Sequence, residues 1–322
     1  MFKFQGYSIN TEVAAADLSR LSRKEWLELR QNSLGGSDIA AALGLSRWKS
    51  QHELWLEKIG QPLPKEPSEN LHWGLVLEEP ICQELSRRTG WDIEKPNAMF
   101  RHPQIPYLTA NLDGLAAVPG QGPVVVEIKT TGFKGPEWED GQLPAEYALQ
   151  MQMYLSIMDL PLGMVGCLIA GQKLVTIEVA RDEELVAQIQ ALAASFWRHV
   201  ETRTPPPIDG SASTAELLAR LYPTSRSEPV MILPEEVDLW LADYWSARTA
   251  EEQAAENRRL VENRIKLLLG DDERGVTPAG TRISWKAVTA SRIDVSALKT
   301  AEPATYAKFS QTSSSRRFQV AS

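Results

Sequence analysis

The sequence predicts an α/β protein, with a small mixed sheet flanked by helices and a C-terminal helical and β extension. Three observations carry that reading. Val124, Val125, Val126 and Ile128 form a β-branched run, the mark of a strand with both faces covered. Helical and extended stretches alternate around it in the order helices, strands, helix, strands, helix, which suits an α/β core. Residues 203–207, RTPPP, are a linker signal after which the pattern loosens. Residues 1–205 are therefore the expected core and 206–322 the expected extension.

Residues 22–32, SRKEWLELRQN, read as a helix opened by Ser22 with Glu25 three residues on, a capping-box pattern. Gly35-Gly36-Ser37-Asp38 breaks the chain and starts a second helix, ended by Gly44. That helix start presents backbone N–H groups and the Ser37 hydroxyl, with Arg30 one helix back. Such an arrangement can grip a phosphate, and it serves equally as a plain N-cap. Arg47 and Trp48 follow, then a third helix, SQHELWLEKIG, with Leu54, Trp55 and Ile59 at helical spacing. Residues 62–68 are a polar, Pro-rich loop. In the helix expected over 71–88, Leu71, Leu75, Glu78, Cys82 and Leu85 share one stripe, which places Glu78 on the buried side.

After two short extended pieces comes the central stretch, residues 108–131. The Asp-Gly of LDGL and the Gly-Gln-Gly of VPGQG are turn signals, framing an antiparallel hairpin that brings Asp113 beside Glu127. Because side chains alternate along a strand, Glu127 and Lys129 leave one face while Val126 and Ile128 leave the other. A mobile stretch is expected over GFKGPEWEDGQLP. Residues 144–159 form a helix begun by proline, with Tyr147, Gln150 and Tyr154 on one face and Leu149, Met153 and Ile157 on another. Strands over 164–170 and 174–180 and an amphipathic helix over 182–200 close the core. The extension holds a short helix over 214–221 and a long one over 234–269 whose polar middle is open to bending. Edge strands over 281–289 and 316–320 are expected to pair through Ile283, Trp285, Phe318 and Val320.

Composition narrows the chemistry. A chain of 322 residues with 43% hydrophobic and 24% charged residues can bury a full core. No apolar run approaches transmembrane length and the first residues lack a signal-peptide core, so a cytoplasmic protein without membrane contact is expected. Cys82 and Cys167 are too few for a disulfide framework, and His52, His72, His102 and His199 have no metal spacing, which argues against zinc and iron–sulfur chemistry. The net charge of -8 argues against a general nucleic-acid-binding coat but allows a local basic groove. From residue 276 onward seven Lys or Arg face two acids, a tail of about +5.

An unpaired charge inside a sheet costs several kcal/mol, so Glu127 and Lys129 need each other or a cation and a phosphate to hold. Asp113, Glu127 and the Ile128 carbonyl offer an all-oxygen set, which hard divalent cations such as magnesium prefer. Lys129 is then placed to orient the attacking water or to stabilise a phosphorane-like transition state. Taken alone, this Glu-x-Lys also reads as a structural ion pair at a strand end.

With Arg30, Ser37, Glu78, Asp113, Glu127, Lys129, Tyr147 and Gln150 in place, the sequence resembles the YqaJ-type viral recombinase family. Its members are lambda-exonuclease-like and fall in the PD-(D/E)XK (restriction-endonuclease-like) nuclease superfamily. The resemblance covers about half the chain, roughly residues 26–169, through several ordered motifs: GGSDIAAALGLS, ELWLEKIG, HWGLVLE, LDGL, VEIK and AEYALQMQMYL. It implies that Asp113, Glu127 and the Ile128 carbonyl bind magnesium, two ions with manganese able to substitute, and that Glu78 joins them directly or through water. It implies that Lys129 acts on the nucleophilic water, supported by Gln150 and Tyr147. Arg30 and Ser37 resemble a pocket for a terminal 5'-phosphate, Arg47 an arginine that tracks the duplex, and Leu71 an apolar wedge at the terminal base pair. The chain departs from the lambda pattern ten residues before Asp113, where Pro103 replaces a second acid, and again beyond Arg203.

The activity so implied is 5'-to-3' exonuclease digestion of linear double-stranded DNA by two-metal hydrolysis. It would leave 3' overhangs for recombination by a single-strand annealing protein, in a trimeric ring, within a bacterial host and encoded by phage or prophage. Two rival readings stand beside it. One is a structure-specific endonuclease or Cas4-like nuclease, the latter disfavoured by the missing cysteine quartet. The other is a non-catalytic DNA-binding assembly protein, disfavoured by the retained charges at Asp113, Glu127 and Lys129.

Overall fold

Short polar and glycine-rich turns cut the chain into many small elements, and what positions the site is how two sheets share one helix layer. The computed structural model describes residues 1–64, 68–132, 138, 141–312 and 314–321. Parts of the Pro-rich loop expected at 62–68 and most of the expected mobile stretch after Gly132 lie outside them. The chain divides into two compact units, Met1–Pro223 and Thr224–Ser322.

The first unit opens with strands β1 (Phe2–Phe4), β2 (Tyr7–Ile9) and β3 (Glu12–Ala16), which the sequence reading did not assign. Then come α1 (Arg23–Gln31), β4 (Leu34–Gly35), α2 (Gly36–Ala42), α3 (Gln51–Lys58) and α4 (Glu69–Thr89). Ser22 and Glu25 form the expected capping box. Strands β5 (Ile93–Glu94), β6 (Ala98–Arg101), β7 (Leu108–Asn111), β8 (Gly114–Val118) and β9 (Gly122–Thr131) follow. The unit ends with α5 (Ala145–Met158), β10 (Leu162–Ile169), β11 (Lys173–Ala180), α6 (Glu183–Glu201) and α7 (Ala212–Leu221).

The expected small mixed sheet is present, and a second mixed sheet accompanies it. One has the order β11-β10-β9-β8-β5, with only β9 and β10 parallel. The other has the order β3-β6-β7-β4, with β4 and β7 parallel. The five-stranded sheet buries Val124, Val126 and Ile128 against Ile81, Cys82 and Leu85 of α4. Its other face joins a core shared with Leu149, Met151 and Leu155 of α5 and Ile39 of α2. Helices on both faces of a sheet with a parallel centre explain the β-branched run.

The antiparallel hairpin expected between LDGL and VPGQG is formed by β8 and β9, and it sets Asp113 beside Glu127. Asp-Gly is the bend at its entry, where the chain leaves β7 in one sheet and enters β8 in the other. Gly114 is needed there because a Cβ would stand 2.7 Å from Ile93 Cγ2. The hairpin turn itself is the Gly120 and Gly122 pair, both at positive φ. One expectation needs correction in this unit: Leu71 and Leu75 are 72% and 70% exposed, so the α4 stripe is buried only from Cys82 onward. Helical spacing fixes which residues share a face but not how far the sheet extends beneath it. The compact unit runs to Pro223: α7 buries Leu217 and its Arg220 pairs with Glu53 at 3.1 Å.

The second unit holds α8 (Glu236–Leu269), β12 (Arg274–Val276), β13 (Arg282–Ser284), α9 (Val295–Ala301) and α10 (Pro303–Phe309). The long helix is continuous. Residues 316–320 form no strand; β13 pairs instead with β12, antiparallel, across a turn at Gly280. Closing a short local loop costs less entropy than recruiting a distant strand, and Phe318 sets its ring edge-on to Tyr244 at 6.2 Å. Among the described residues no helix is long and apolar enough to cross a membrane.

Candidate active site

Alternation along β9 turns Val124, Val126 and Ile128 toward α4 and leaves Val125, Glu127 and Lys129 to the α5 side. Glu127 is 3% exposed. Its Oε1 accepts from Lys129 Nζ at 2.5 Å and from Gln150 Nε2 at 2.5 Å. Its Oε2 is buried and has no hydrogen-bond partner among the described residues. A buried acceptor without a donor costs about 1–3 kcal/mol, and more when charged. That oxygen is therefore the one a cation would satisfy.

Asp113 is half-buried, and its Oδ2 accepts the Ile128 backbone N–H at 2.9 Å. Burial, then repulsion from Glu127 and Glu78, raises its pKa well above the ordinary carboxyl value, against the opposing pull of the Ile128 N–H and Lys129. Burial also works against the Lys129 charge, but Glu127 outweighs it and raises the ammonium pKa. The Tyr147 ring lies 5.0 Å from Lys129 Nζ. Burial, then Asp113, Glu79 and Glu78, push the Cys82 thiol up to about 11, so it is neutral at ordinary pH.

Asp113, Glu127, Lys129, Gln150 and Tyr147 are thus brought together. Glu78 is close enough to raise the Asp113 pKa, but its Oε2 is engaged by Lys95 Nζ at 2.6 Å. Among the described residues no three His, Cys, Asp or Glu side chains are drawn into a metal-holding cluster. The orphaned Glu127 oxygen and the strained Asp113 charge nonetheless fit a hard divalent cation.

A second cluster surrounds Asp38, which is 2% exposed. It meets Lys58 at 2.8 Å, Arg30 at 3.0 Å and Lys49 at 3.8 Å. Burial opposes its charge, but Lys58, Arg30 and Lys49 hold its carboxyl well below the usual carboxylate range. Arg30 Nη2 also donates to Ser37 Oγ at 3.1 Å, so the expected Arg30 and Ser37 pair is in contact. Lys58 donates in addition to the Arg30 carbonyl at 2.6 Å, placing positive charge at the end of α1.

Tyr154 joins the two clusters. Its hydroxyl accepts from Gln150 Nε2 at 3.1 Å, and its ring lies so close to Gly36 that a Cβ there would stand 2.2 Å from Tyr154 Cε1. Only glycine admits that approach of α2 to α5. Arg47 reaches the edge of the site, bonding Glu146 at 2.8 Å beside Tyr147. Leu71 stands exposed on the first turn of α4.

Asp38, Lys58, Lys95 and Tyr154 join these clusters without being singled out by the sequence motifs. Two signals pointed there: Lys58 is four residues after Leu54 on an apolar helix face, and Tyr154 is four after Gln150.

Comparison with known proteins adds the lineage. Residues 25–161 match the family model of the YqaJ-like viral recombinase domain. The chain is similar to an uncharacterised protein of Bacillus subtilis (strain 168), YqaJ, at 32% identity over 318 residues, which is 97% of this chain and 98% of that one. It is also similar to the crystal structure of an alkaline exonuclease from Laribacter hongkongensis, at 19% identity, covering 56% of this chain and 93% of the other, with a TM-score of 0.45. A phage-related exonuclease from Haemophilus somnus 129PT gives 15% identity, 55% and 97% coverage, and a TM-score of 0.44. With a third of its residues shared with YqaJ along nearly its whole length, this chain belongs to the YqaJ-like viral recombinase family.

Proposed function

We propose that the chain is a magnesium-dependent 5'-to-3' exonuclease acting on linear duplex DNA and leaving 3' single-stranded overhangs. The observation that supports it most directly is the buried Oε2 of Glu127, without a hydrogen-bond partner among the described residues, beside the half-buried carboxylate of Asp113. Asp113, Glu127 and the Ile128 carbonyl would hold magnesium, which supplies Lewis-acid polarisation of the phosphodiester and an acidified bound water. Gln150 and Lys129 both engage Oε1 of Glu127, and so leave Oε2 facing the site. Lys129 spends one of three N–H donors on Glu127 and has further donors to orient a water or meet charge developing on the phosphate. The Tyr147 face steadies that ammonium. Arg30, aligned by Asp38, and the Ser37 hydroxyl supply the donors for a 5'-phosphate. A trimeric ring around the duplex and an annealing protein on the 3' strand complete the proposal.

The test is digestion of matched linear and closed circular duplexes. The purified full chain with magnesium is expected to degrade the linear DNA bearing 5'-phosphates, spare the circle, and stop on addition of chelator. Equal cutting of both forms would point to an endonuclease, and no cutting of either would remove the nuclease reading. In the same assay Arg30→Ala is expected to slow digestion of 5'-phosphorylated ends by about tenfold or more, the loss of one charge-assisted bond, and 5'-hydroxyl ends much less. Identical slowing of both would reject the phosphate pocket.

A further inference from the structure

We propose that Lys95 is a built-in counter-ion that occupies Glu78 before metal arrives and sets how weakly the site takes up divalent cations. The inference rests on the metal-dependent reading above. Pairing of β5 with β8, Glu94 opposite Leu115 and Ile93 opposite Ala116, carries Lys95 to the sheet edge where Asp113 enters β8. Pro96 follows Lys95 and biases it to an extended backbone that continues the direction of β5. From that position its ammonium reaches Glu78 Oε2 at 2.6 Å. Burial works against the Lys95 charge, but the Glu78 bond and then the Glu78 and Asp113 charges more than offset it.

Three elements thus deliver one cation to the acidic side of the site: α4 brings Glu78, the bend before β8 brings Asp113, and the end of β5 brings Lys95. Lys129 serves the opposite side, on Glu127 Oε1. With all groups ionised, three carboxylates face two ammonium groups, so one negative charge remains for an incoming dication. Without Lys95 two would remain. The lysine therefore does two things at once: it keeps Glu78 satisfied in the metal-free protein, and it opposes metal at Asp113 and Glu78 until it is displaced. Lys95 is half-exposed, so it can swing into solvent, or onto a phosphate oxygen, when metal takes its place.

The experiment is calorimetric titration of the metal-free full chain with Mn2+ and no DNA. Lys95→Gln, which removes the charge and no core volume, is expected to tighten Mn2+ binding by about fivefold or more, as expected when a like charge is withdrawn a few ångströms from a cation site. Lys95→Arg keeps the charge and is expected to bind Mn2+ as the unsubstituted chain does. Unchanged or weaker binding by Lys95→Gln would overturn the proposal, and so would Lys95→Arg behaving like Lys95→Gln. Failure of the unsubstituted chain to bind Mn2+ would instead overturn the metal-dependent reading on which this one rests.

Discussion

Replacing Asp113 with Asn is expected to abolish DNA cleavage, by about three orders of magnitude, while making the metal-free protein more stable. The activity loss follows from removing one of two carboxylates that would hold the catalytic cation, whose stabilisation of a phosphoryl transition state is worth several kcal/mol. The stability gain follows from the raised pKa of Asp113. A carboxyl whose folded pKa exceeds its unfolded value binds its proton more tightly in the native state, so native stability falls as pH rises from the unfolded value through the folded one. Asn carries no such penalty and keeps an oxygen for the Ile128 N–H. The two proteins are therefore expected to melt together at acid pH. Above about pH 5 the variant should be favoured, by about 1–3 kcal/mol once the wild-type carboxyl is ionised. Magnesium should reverse the order by stabilising only the wild type. Thermal melts across pH, with and without magnesium, check all three statements. A variant less stable than wild type at pH 8 without metal would show that Asp113 is held by its surroundings rather than strained by them.

The second large effect is expected at Asp38, which serves no part of the cation site. Asp38→Asn leaves Lys58, only 3% exposed, and Arg30 without their shared anion. Removing one partner of a buried pair costs about 3–5 kcal/mol because the other charge stays buried. The sign with pH is opposite to that of Asp113. The folded pKa of Asp38 is depressed, so its contribution is present above the unfolded value near pH 4 and is lost as pH falls through the depressed folded one. Urea unfolding at pH 7 should show the full loss. In the acid range, as Asp38 of the unfolded chain takes up its proton while the folded carboxylate stays ionised, the gap between wild type and variant should shrink. A constant gap between pH 7 and pH 3 would mean that the loss is steric rather than electrostatic.

Much of this molecule is written locally in its sequence. Val124 to Ile128 declare a covered strand, and alternation alone sends Glu127 and Lys129 to one side of it. Ser22 with Glu25 fixes the start of α1, and Pro144 the start of α5 with Tyr147 and Gln150 on a common face. These features survive into the structure because each depends on residues a few positions apart, where backbone period dictates geometry. Tertiary packing decided the rest. LDGL declares a bend, but that the bend carries the chain from one sheet to another depends on partners far along the chain. Leu71 and Leu75 lie on the same stripe as Leu85 but stay exposed. The anion at Asp38 draws its cations from Arg30, Lys49 and Lys58 on separate elements, and Glu78 meets Lys95 only because β5 pairs with β8. Periodicity shows which way a side chain leaves its own element; only the fold determines which charge it meets, because buried ion pairs form between whatever the packing brings within a few ångströms.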